Sequence, residues 1–165
     1  MGPSVGVIEL TDGELRRRFH GLVSHLDHWG DVIAVGEGGR RDRRRIELAV
    51  LAPGAGLAPE VKTLFREYYA RVAPDSWRMT KYTYEYLDTL RGVRLAFHMH
   101  DVGGTALVPH AHCESASDIP EAERSPHLRA IEYDVREANE VFVRLYAAEL
   151  APSCRDFLQL EIDRS

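Results

Sequence analysis

An α+β domain, with a largely antiparallel sheet and helices packed on one face, is the fold class this sequence predicts. Three observations predict it. KYTYEYLD (81–88) and VRLAFHMHD (93–101) alternate residue by residue, the period of a strand with two unlike faces. The stretch after Thr11 and the run through Val135 and Phe142 carry apolar residues at helical spacing instead. Finally, 165 residues, 44% hydrophobic and 28% charged, suit one domain (1–165) around one core rather than a disordered chain.

The elements follow in order. VGVIEL reads as an opening strand, and Thr11 with Glu14 three residues on forms a capping box. A helix follows whose Leu15, Phe19, Leu22 and Leu26 make a core-facing stripe to about His28, with His20, His25 and His28 as surface decoration. DVIAVGEGGRRDRRRIELAVLAPG predicts a hairpin with an exposed arginine tip. After the APGAGLAPE linker, Pro59 and the spacing of Val61, Leu64, Phe65, Tyr68 and Val72 predict a second helix, stopped by Pro74. From Trp77 the pattern turns to strand, with Tyr82, Tyr84 and Tyr86 on one face and Lys81, Thr83 and Glu85 on the other. TLRG makes a turn. In the next strand Val93, Leu95, Phe97 and Met99 share one face, and Arg94, Ala96, His98 and His100 the other. ALVPHAHCE is a further strand, at an edge or bulge because of Pro109. Ser125-Pro126 opens the last helix, with Ile131, Val135, Ala138, Phe142 and Leu145 as its stripe and Pro152 after it; the tail is a strand or a short helix.

Four of the eight histidines fall in FHMHDVGGTALVPHAHCE as two His-x-His pairs, within a histidine-rich hairpin at 93–114. A three-residue loop of Gly103, Gly104 and Thr105 sets His98 opposite His110 and Arg94 opposite Glu114, joining both pairs into one patch. Another three-residue loop, one position earlier, also keeps the pairs on a common face, whereas a two-residue loop would put them on opposite faces. If Asp88 pairs with Val93, then Lys81 and Glu85 join the patch; a slip of one residue brings Tyr82, Tyr84 and Tyr86 there instead.

Two chemistries suit such a patch. Neutral imidazoles of His98, His100, His110 and His112, with Glu114, suit a divalent metal such as Zn, Ni, Fe or Mn. Alternatively, one neutral and one protonated histidine serve as base and acid while Arg94 and Lys81 stabilise a phosphoryl transition state. Cleavage of RNA through its own 2′-hydroxyl needs only those parts. The bland alternative is a histidine-rich solvent face, or a pH-sensitive surface for a partner. RRDRRR, Arg40 to Arg45, is the densest positive stretch in a chain of net charge −5, and its Arg43, Arg44 and Arg45 are candidate contacts for phosphate. His127 suits a helix N-terminus and Cys113 the core side of its strand.

The run from Gly104 to His112, G-TALVP-HAH, resembles the front half of the first cupin motif. A wider resemblance spans about Tyr68 to Tyr146. KYTYEYLD, RLAFHMHD and VPHAHCE, followed by a C-terminal helix, look like the small bacterial toxin components of the TumE-like kind. That resemblance implies a small nuclease-like toxin, a cognate antitoxin as partner, and His98, His100, His110 and His112 as active residues. The overall expectation is a phosphodiester-cleaving enzyme acting on RNA. The absence of an apolar run of membrane length and of a secretory signal leads us to expect a cytoplasmic protein with no membrane partner; a homodimer is left open.

Overall fold

The computed structural model describes residues 8–51, 61–89, 92–101, 107–115 and 135–147; within these, the side chains of 31, 33–39, 51, 100–101 and 107–115 fall outside the description. In chain order the elements are β1 (Glu9–Leu10), α1 (Asp12–Leu26), β2 (Asp31–Arg40), β3 (Arg43–Leu51), β4 (Val61–Ala73), β5 (Ser76–Asp88), β6 (Val93–Asp101), β7 (Leu107–Ser115) and α2 (Val135–Tyr146). Strands β2 to β7 form an antiparallel meander in sequence order, and β1 pairs with the start of β5. This is the α+β domain that the two periodicities predict.

Helix α1 begins as expected. The Thr11 hydroxyl accepts from the Glu14 N–H at 3.2 Å, while the Glu14 carboxylate accepts from the Thr11 N–H at 2.8 Å. Two orphan donors of the first turn are satisfied reciprocally. Thr11→Ala should therefore lower stability by about 1 kcal/mol, read as a shift in the urea midpoint at unchanged slope.

The segment expected as a second helix is strand β4, paired along its length with β3 and β5. The physical reason lies in which side chains are buried. Val61, Thr63, Phe65, Glu67 and Tyr69 alternate into the core, whereas Leu64 and Tyr68, members of the supposed helical stripe, lie half-buried on the other face and Val72 is exposed. Two polar residues at core positions hide the strand period, and aromatic and β-branched residues favour the pleated alternative.

Both helices cover one face of the sheet. Leu15, Leu22 and Leu26 of α1 and Val135, Ala138, Val141, Phe142 and Leu145 of α2 share one core with Ile46, Leu48, Phe65, Tyr84, Leu95 and Phe97. Phe142 is its hub, with ring centroids 5.8–5.9 Å from Phe65, Tyr86 and Phe97. Trp29, just after α1, meets Tyr146 of α2 edge-on at 5.7 Å. The residues Ser125, Pro126, Ile131 and Pro152, the C-terminal tail and His127 lie outside the described residues.

Glu67, 1% exposed, sits under α1 on this helix-covered face. Arg18 of α1 donates to it from Nε at 2.7 Å and from Nη2 at 2.5 Å, and the hydroxyls of Tyr69 and Tyr84 donate at 2.6 and 2.8 Å. Four donors on one carboxylate satisfy it without water. Burial works against the Arg18 charge, but hydrogen bonding to Glu67 and attraction by it hold the guanidinium protonated beyond its ordinary range. Burial first, and then the Glu67 charge, push both phenols well above the usual tyrosine value. In the unfolded chain these phenols ionise near pH 10 while the folded ones keep their protons, so stability falls as pH rises above about 10. Urea titrations at pH 9 and 11 should show this loss, and Tyr69→Phe with Tyr84→Phe should make it smaller.

Candidate functional site on the open face of the sheet

The histidines belong to the other face, open only in the sense that α1 and α2, the helices among the described residues, lie on the opposite one. Its layout is fixed by two registers, each turning on a short connection. In the first, Asp88 pairs with Val93, and Gly92 enters β6 at φ +66°, a left-handed conformation that costs glycine nothing. In the second, Asp101 pairs with Leu107, which sets His98 directly opposite His110 and Arg94 opposite Glu114. Of the pairings the sequence leaves open, these are the ones with Asp88 opposite Val93 and His98 opposite His110; residues 102–106, with the expected loop of Gly103, Gly104 and Thr105, lie outside the described residues. The tyrosines of β5 consequently lie on the helix-covered face with Leu95, Phe97 and Met99.

Residues paired across antiparallel strands share a face, so the registers define rows on the open face. One row runs Glu47, Arg66, Thr83, His98, His110 from β3 to β7. The next runs Ala49, Leu64, Glu85, Ala96, His112, and the one after it Lys62, Leu87, Arg94, Glu114. On the opposite side of the first row lie Arg45, Tyr68 and Lys81, and His100 is paired with Val108.

Directly opposed Cβ atoms stand about 4.5–5.5 Å apart, which brings the His98 and His110 backbones within reach of one small group. His112 is one row away on one side and His100 one row away on the other. Those two are separated by about 13 Å along the strands, so a single ion is spanned by at most three of the four histidines. Among the side chains described, no three His, Cys, Asp or Glu converge as a metal site. The side chains of His100, His110, His112 and Glu114 lie outside that description. Cys113 pairs with Leu95 and so belongs by register to the core face.

Around the histidines runs a ladder of ion pairs. Glu85, 6% exposed, accepts from Arg66 Nη1 at 2.9 Å and from Arg94 Nη2 at 2.5 Å. Glu47 lies 3.6 Å from Arg66 Nε and 3.4 Å from Arg45 Nη1. One buried carboxylate thus fixes two guanidiniums and leaves the trio with a net positive charge. Fixed cations of this kind are pre-arranged for an anion because they need little reorganisation. Ala96, between Glu85 and His112, is fully buried and adds only a methyl to its row.

Arg94, expected as a phosphate clamp, is therefore half of a pair held by Glu85. Its companion Arg66 escapes sequence reasoning because the apolar residues of β4 fit a helix, and so does Glu67 of the same strand. Lys81 is exposed, with its ammonium 5.3 Å from the Tyr68 ring. The arginine tip divides by parity. Arg43 and Arg45 lie on the open face, whereas Arg44 sits on the other, 5.3 Å over the Trp77 ring beside Arg71. His20 is exposed on α1 and His28 in the turn just after it, with His28 Nδ1 2.7 Å from the Ser24 carbonyl oxygen, and His25 is half-buried.

Among the described residues, no helix is long and apolar enough to cross a membrane. Compared with protein-family models, with curated proteins and with solved structures, the chain matches none.

Proposed function

We propose that the open face is the active site of a metal-independent phosphodiesterase acting on RNA, with His98 and His110 as its acid–base pair. The observation that carries this reading is the direct cross-strand pairing of those two histidines on the face where Glu85 holds Arg66 and Arg94. One imidazole takes the proton of the 2′-hydroxyl as its oxygen bonds to phosphorus. The other protonates the departing 5′-oxygen. The products are a 2′,3′-cyclic phosphate and a free 5′-hydroxyl, and no further reactant is needed. Arg66 and Arg94 face the negative charge that builds on the phosphoryl oxygens, and His100 and His112 flank the pair.

The test is cleavage of an end-labelled single-stranded RNA by wild type and by His110→Ala, with and without chelator. Cyclic-phosphate ends that appear with wild type regardless of chelator, and vanish in the variant, support the reading. Equal cleavage by the two proteins would remove it.

A metal-dependent variant has its own support in the donor set, because His98, His110 and His112 are grouped by register and imidazole suits Zn, Ni, Fe or Mn. Such an ion would polarise phosphate or activate water. Elemental analysis of wild type beside His110→Ala separates the two versions, near-stoichiometric metal lost in the variant favouring the ion. The toxin resemblance adds a cognate antitoxin to this proposal as the protein partner.

A further inference from the structure

Two hairpin tips meet at one end of the sheet, where the Arg71 N–H donates to the Asp42 carbonyl at 2.9 Å. The β2–β3 tip carries Arg40, Arg41, Arg43, Arg44 and Arg45, in a chain whose net charge is −5. Its cross-strand neighbours are unusual. Arg40 is paired directly with Arg43, a like-charge pair that costs stability unless an anion lies between. Gly39 and Gly38 stand opposite Arg44 and Arg45, so those two positions of β2 place no side chain beside the arginines.

From this tip a cationic path crosses the open face toward the histidines. Arg43 and Arg45 share that face about 6.5–7 Å apart. Arg45 is paired with Tyr68 and Tyr68 with Lys81, and Lys81 lies one row from Thr83, which is paired with His98. Tyr68, half-buried, is the aromatic member of the path, and Lys81 projects over its ring. A row of cations with an interleaved aromatic platform is the recognition chemistry of single-stranded nucleic acid, whose unpaired bases stack while its phosphates are neutralised. An acidic protein surface would use the cations but not the platform. A duplex would hide its bases from it.

We infer that single-stranded RNA lies along Arg43, Arg45, Tyr68 and Lys81 on its way to the His98–His110 pair, which makes a single strand rather than a duplex the substrate of that site. The inference rests on the functional reading above, but binding can be measured apart from cleavage. The experiment is titration of a fluorescent single-stranded RNA with full-length His110→Ala protein over a range of salt concentrations. Arg43→Gln with Arg45→Gln should weaken binding at least tenfold and flatten the salt dependence of log K by about 1.4, roughly 0.7 for each phosphate no longer neutralised. Lys81→Gln should flatten it by about half as much. The control, Arg16→Gln with Arg17→Gln on exposed α1, should change neither. Unchanged affinity and slope in the tip and Lys81 variants would overturn the inference. So would absent RNA binding, tighter binding of a duplex of equal length, or stronger competition by polyglutamate than by unlabelled RNA. If the wild type fails to cleave while the variants weaken binding as stated, only the catalytic reading falls and the RNA path stands.

Discussion

Arg18→Met is expected to lower the free energy of unfolding at neutral pH by about 3–5 kcal/mol, the usual loss when one partner of a buried ion pair is removed. The methylene stem of methionine keeps the packing beneath α1, so the loss reports the charge. Glu67 then lies 1% exposed with only the two phenols as donors. Stranded in this way, its carboxylate is a buried charge with no cation beside it. Arg18→Met combined with Glu67→Gln keeps an acceptor for the tyrosines and removes the charge, and should recover most of the loss in a double-mutant cycle. Equal deficits in the single and the double variant would mean that packing, not charge, holds α1 down.

His98→Ala and His110→Ala should each reduce RNA cleavage by about 10²–10⁴-fold, the range that general acid–base groups supply. Both positions lie on the face opposite α1 and α2, outside the core those helices share, so far-ultraviolet circular dichroism and the urea midpoint should stay near wild type. A base that must be neutral and an acid that must be protonated give a bell-shaped pH profile, and each substitution should remove one limb of it. If both variants instead lose the same limb, the two histidines act as one group, as they would on a shared metal. On the acid–base reading proposed above, the double variant should be little worse than either single one.

Much of this arrangement is legible in the sequence, for identifiable reasons. Strands β5, β6 and β7 follow from alternation, which with the glycine-bearing turns leaves few pairings, but a one-residue slip stays open until the cross-strand partners are known. The cap of α1 and the apolar stripes of both helices follow from local chemistry. Strand β4 does not. Its apolar residues fit a helical stripe, and Thr63 and Glu67 interrupt the alternation at the positions that are buried. A polar residue becomes compatible with the core only when its partners are known. Those of Glu67 arrive from α1, from β5 and from its own strand two residues on. Missing β4 also means missing Arg66, the second guanidinium that Glu85 holds beside Arg94.

The meander has a consequence for how the chain reaches this structure. Apart from the contact of β5 with β1, strands β2 to β7 pair with their sequence neighbours, so each of these pairings is local in the chain. Such local contacts form quickly, since little chain entropy is lost before each is made. The contacts of α1 and β1 are different in kind: Arg18 meets Glu67 across 49 positions, and Glu9 meets Arg78 across 69. Folding should therefore zip the sheet hairpin by hairpin and fasten the N-terminal segment late. The open face, which asks nothing of α1 or β1, takes shape before the molecule is closed.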